Sequence, residues 1–148
     1  MTATATDWPM TDDLSTAGRF VVWAARSWVR ARRAGVDPAR SLAEGFALAG
    51  AGPARDAFAE AMATFDCRAR VPLLFGCPRS GRVFPVERRL IRIVAALQSQ
   101  RLIEAEELLT GLLPPDALPR VRDMLAELAG QMILADLPLL PGDGECRD

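Results

Sequence analysis

Histidine, lysine and tyrosine are absent from this sequence, and each absence removes chemistry. Without His there is no Ser-His-Asp or Cys-His nucleophile and no imidazole for a metal or haem. Without Lys there is neither a Schiff base nor a phosphate-loop lysine. The common enzyme mechanisms have no residue to run on, so the expectation is a protein without catalysis of its own, without cofactor and without metal. Long apolar runs are missing as well. A spanning helix needs about 18 such residues, whereas the stretch Phe20 to Ala25 is closed by Arg19 and Arg26. The opening MTATATDWPM has no basic residue and no apolar segment, so a secretory signal is not expected. Cysteine is scarce: Cys67, Cys77 and Cys146 form no paired framework and read as reduced thiols. These absences point to a soluble, cytoplasmic protein.

What is present is apolar bulk and arginine. Half of the 148 residues are apolar, enough for one core without staples. All 18 basic residues are Arg, which beside the abundant Ala, Gly and Pro reads first as the codon bias of a GC-rich, bacterial genome. The net charge of −1 conceals an asymmetry: residues 1–100 carry 14 Arg against 9 acids, residues 101–148 carry 4 Arg against 10 acids. The two parts are expected to attract each other or to serve different partners.

The periodicity is helical throughout. A disordered leader, 1–10, precedes a helical domain, 11–137, and a disordered acidic tail, 138–148. The first helix is expected from Thr11, with Asp12 and Asp13 in its first turn, to Ala34, where Gly35 stops it. Asp37-Pro38 opens a second helix, and Pro53 a third. From Cys67 to Pro85 three prolines and two glycines deny helix, and Val71, Leu73, Leu74 and Phe75 make a short extended piece with no partner strand. Pro85 opens a fourth helix, a turn at Ser99 to Arg101 leads to a fifth, and a sixth spans Ala117 to Asp136. The fold class is therefore all-α, a single-domain bundle of about six helices with one irregular Pro/Gly-containing loop near 67–85. Phe46, Phe58, Met62, Leu90, Leu97, Val121, Leu125 and Leu128 should form its core.

Three constellations carry functional readings. On a helical wheel Arg19, Arg26, Arg30 and Arg33 form one stripe of the first helix, with Trp23 at its edge where guanidinium groups can stack on the indole. Exposed Trp among Arg is the composition of an interface anchor, and this stripe is the expected protein-binding surface. The loop Cys77-Pro78-Arg79-Ser80-Gly81-Arg82 resembles a zinc-ribbon knuckle with Ser80 in place of the second thiolate; with Cys67 the one other nearby thiol, four soft ligands cannot be assembled. It also resembles the anion-cradling loops of rhodaneses and thiolate phosphatases, which makes Cys77 a candidate reactive thiol, although those families need a parallel sheet beneath the loop. The remaining reading is a structural loop with Cys77 buried. Arg79, Arg82, Arg88 and Arg92 are candidate anion- or nucleic-acid-binding residues, against which stand the lack of interleaved aromatics and an isoelectric point near 5.5. The favoured function is a non-enzymatic adaptor, regulator or assembly subunit that binds a protein partner, with a homo-oligomer also compatible. A nucleic-acid-binding regulator and a thiol-based enzyme at Cys77 are the alternatives.

Overall fold

Ser15 starts the first long helix: its hydroxyl accepts from the Gly18 N–H, satisfying one of the amides that a first turn leaves without a partner. This helix, α1, runs Thr16–Arg33 in the computed structural model, which describes residues 10–143. The expected start at Thr11 is corrected. Thr11–Asp13 forms a separate 3-10 turn, and Leu14 is extended with its side chain buried. The reason is non-local: the Thr11 N–H donates to the Gly81 carbonyl at 2.8 Å, and Met10 bridges Arg82, so this backbone is committed to a distant loop.

The other helix starts follow local chemistry. Asp37 caps the Ala39 N–H, and Pro38 occupies the first position of α2, Pro38–Ala49, which Gly50 closes in the left-handed region at φ 81°. A 3-10 turn at Gly52–Ala54 holds Pro53 and precedes α3, Arg55–Arg68. Pro85 begins α4, Pro85–Gln98, followed by α5, Leu102–Thr110, and α6, Leu118–Leu134. Among the described residues there are six α-helices and no strand, as the periodicity predicts.

The chain packs α1 on α2, α3 on α6, and α4 on both α5 and α6, with α1 also touching α4. All eight core residues named from the sequence are buried within one continuous cluster. The central helix is α4, whose Leu90, Ile91, Ile93, Val94 and Leu97 are all enclosed, leaving Arg88, Arg89 and Arg92 on its remaining face. No helix among the described residues is long and apolar enough to cross a membrane.

Two irregular segments lie on this bundle. The strap 69–75 leaves α3, donates from the Arg70 N–H to the Leu112 carbonyl at 2.8 Å, and half-buries Leu73 and Phe75 against the core. The second follows α6. Its residues 138–143 fall within the expected disordered tail, but partners hold them. The Gln98 amide donates to the Leu137 carbonyl and accepts from the Leu139 N–H, and the buried Asp143 carboxylate accepts from the Ser15 N–H, the Ser15 hydroxyl and the Leu140 N–H. Residues 1–9 and 144–148, with most of the expected leader and the end of the tail, lie outside the described residues.

Candidate interaction site

The arginine stripe of α1 is broken at its centre. Arg26 is 3% exposed and Glu87 fully buried, and the two meet through a double hydrogen bond: Nε to Oε2 at 2.7 Å and Nη2 to Oε1 at 2.8 Å. The remaining valences are filled by the 76–84 loop. Arg26 donates to the carbonyls of Ser80 and Arg82, while Glu87 accepts from the N–H groups of Gly76 and Phe84, each at 2.8 Å. Every polar atom of the pair is thus occupied, the condition under which two buried charges can be tolerated. Arg26 is accordingly a loop-holding residue, and its assignment to a partner-binding surface is corrected.

Trp23 is 36% exposed and packs beside Phe20 and Phe46, with ring centroids 5.9 and 6.3 Å away. Its indole also fills the space over Gly45, where an added methyl group would overlap the ring. Glycine in the middle of α2 therefore admits the Trp23 ring, and the indole joins α1 to α2. Arg19, Arg30 and Arg33 remain exposed, with Arg19 donating to the Leu14 carbonyl at 3.3 Å.

Several polar groups of the Cys77 loop are committed within the fold. Cys77 is exposed, correcting the reading that buries it. Three of its amides have partners, Gly76 on Glu87, Ser80 on the Cys77 carbonyl and Arg82 on the Ser80 hydroxyl, and Pro78 contributes none. Inward, the Ser80 and Arg82 carbonyls converge on the Arg26 guanidinium and the Gly76 and Phe84 amides on the Glu87 carboxylate. Cys67 is also exposed, and no three metal-binding side chains come together among the described residues. Cys146 lies outside them.

A different surface emerges around the strap. On one side a groove of about 450 Å³ is floored by Trp28, Met62, Phe65 and Leu73 and rimmed by Arg32, Arg33 and Arg70. Asp66 is the single carboxylate lining it among the described residues, and Arg32 lies 3.5 Å from it. On the other side a hollow of about 360 Å³ is walled by Val71, Pro72, Leu73, Val86 and Leu112 and carries Arg88, Arg89 and Arg92. Between them runs the crest of the strap, with Val71 45% and Leu74 67% exposed. Arg33, Arg88, Arg89 and Arg92 form no ion pair among the described residues. Of the residues singled out by sequence, Arg33, Arg88 and Arg92 belong to this face, whereas Arg79 and Arg82 sit exposed on the neighbouring loop. Arg32, Arg70, Arg89, Val71 and Leu74 were missed as site residues. The available signal was an apolar run inside a proline-rich stretch, flanked on both sides by arginine.

The basic and acidic parts of the chain also meet. Arg68 forks onto Asp116 at 2.8 and 3.0 Å, and Arg120 reaches Glu60 at 3.0 Å. The hydrogen bonds from Arg68 hold the Asp116 carboxyl below the usual carboxylate value.

No protein-family model, curated protein or solved structure matches the chain. The fold and the surface therefore define only a class: an α-helical bundle carrying an arginine-rimmed, apolar strap face.

Proposed function

We propose that this chain acts without chemistry of its own, by binding an acidic, partly aliphatic segment of a protein partner across the strap face. The observation that carries this is the exposure of Leu74 and Val71 on a crest between two apolar-floored depressions rimmed by arginines. Arginine around an aliphatic centre is interface composition. With Asp66 the single lining carboxylate among the described residues, charge complementarity calls for an acidic occupant. The α1 stripe supports the reading less, since Arg26 is enclosed and Trp23 is seated on α2.

The test places a photo-crosslinking residue at position 74 and, as control, at exposed Leu48 on α2. The expected result is a discrete adduct from position 74 and none from 48, lost at high salt and lost when Val71→Asp is added, at unchanged melting temperature. Identical adducts from both positions, or capture indifferent to Val71→Asp, would overturn the proposal. A steep salt dependence with purified nucleic acid in place of protein would favour the nucleic-acid reading instead.

A further inference from the structure

We propose that the hollow beside α4 is a binding site for a phosphate monoester, gripped by Arg88, Arg89 and Arg92. Three guanidinium groups stand within five residues of one helix, and no carboxylate lines the hollow among the described residues. The acid next to them in sequence, Glu87, is turned inward with both oxygens taken by Arg26, Gly76 and Phe84. The positive charge is therefore uncompensated, and Val71, Pro72, Leu73, Val86 and Leu112 give it apolar walls that strengthen attraction for an anion. A carboxylate satisfies one guanidinium fork, whereas a phosphate monoester brings nearly two charges and three terminal oxygens to share among several. At about 360 Å³ the hollow lies at the small end of ligand sites, with room for the phosphate and a short organic body.

An independent observation concerns Gly111. Its φ of −71° is ordinary helical backbone that any residue adopts, so the turn does not require glycine there. What the missing side chain does is leave space for Arg89: a methyl group at this position would lie 2.6 Å from Arg89 Nη1. Glycine thus lets the Arg89 guanidinium lie where it does. The ligand chemistry has two sources, a free small phosphomonoester or a phosphorylated side chain, and both present the same group.

The experiment uses the full chain labelled with ¹⁵N, following the arginine Nε–H signals during titration with phenyl phosphate, with a short Gly-phosphoserine-Gly peptide and with benzoate. Phenyl phosphate is expected to give saturable shifts at Arg88, Arg89 and Arg92, with affinity about tenfold above benzoate. Binding should tighten from about pH 5.5 to about pH 7.5 as the monoester loses its second proton. The groups facing the ligand are the three arginines, and the sequence contains no His, so a protein group of ordinary pKa does not produce that trend. Gly111→Ala tests the site without threatening the fold, because the added methyl meets only the flexible end of Arg89. It should weaken phenyl phosphate about tenfold at an unchanged melting temperature, and Arg92→Gln should do the same. A preference for the peptide assigns the site to a phosphorylated chain, and a preference for phenyl phosphate assigns it to a small molecule. Absence of saturable shifts, equal affinity for benzoate, or indifference to both substitutions would overturn the proposal. Because this assay contains no partner protein, its failure leaves the crosslinking result at position 74 intact.

Discussion

Removing the Glu87 carboxylate would take a hydrogen-bond partner from three groups at once: the Arg26 guanidinium and the amides of Gly76 and Phe84. Glu87→Ala is expected to cost about 3–5 kcal/mol in urea unfolding, the range for a buried charge left unpaired. For an isolated pair, replacing both partners with apolar residues can recover that loss. Here it should not, since Arg26→Met with Glu87→Met still removes the hydrogen bonds that the pair makes to the Ser80 and Arg82 carbonyls and to the two amides. Recovery to wild-type stability in the double variant would show that the loop contacts contribute nothing. Trp23 is a second test at this scale. Its ring is wedged over Gly45, so Trp23→Ala opens a void between α1 and α2 and should cost about 2 kcal/mol in thermal unfolding. A change within about 0.5 kcal/mol would return Trp23 to the exposed surface class.

Helix ends were legible where their chemistry is local. Asp37-Pro38, Gly50 and Pro85 mark boundaries in their own few residues, and α2 and α4 begin where those signals place them. The start of α1 was not legible, because Thr11 finds its partner in Gly81, and no pattern within residues 11–34 records that. Arg26 was misread for the same reason: a helical wheel places it on a charged stripe, but Glu87 stands 61 positions away. The strap face was visible as composition, while its flanking depressions depend on how α1, α3 and α4 meet it. The segment after α6 was hidden too, as its Asp143 works on the N-terminus of α1. Asp143→Ala removes an acceptor for the Ser15 amide and hydroxyl and should cost about 1–2 kcal/mol, read as faster amide exchange across the first turn of α1. The link between α3 and the turn before α6 titrates. Because Arg68 lowers the Asp116 carboxyl below its usual 3.8, the pair's stabilisation is present above that value and lost as pH falls through the lower folded value. The melting-temperature gap between wild type and Asp116→Asn should be constant above about pH 5 and shrink progressively as the pH falls below the carboxyl's usual 3.8.

Across the whole molecule, the near-neutral net charge arises from opposed parts that touch through Arg68–Asp116 and Arg120–Glu60, while Arg33, Arg88, Arg89 and Arg92 around the strap form no ion pair among the described residues. Stability is concentrated in the helical core and charge display at its edge, so surface substitutions around the strap can alter binding with little effect on the fold. The Arg26–Glu87 junction adds a kinetic consequence. It joins α1, α4 and four groups of the 76–84 loop, so it can close only after the two helices have docked and water has left the space between them. Such late contacts contribute little to the folding barrier and most to the escape barrier. Glu87→Ala is therefore expected to leave the refolding arm of a denaturant chevron nearly in place and to raise the unfolding rate by two orders of magnitude or more, on the order of the ~3 kcal/mol lost. Opening of this one junction would then set how long a folded molecule survives before its loop is exposed to proteolysis.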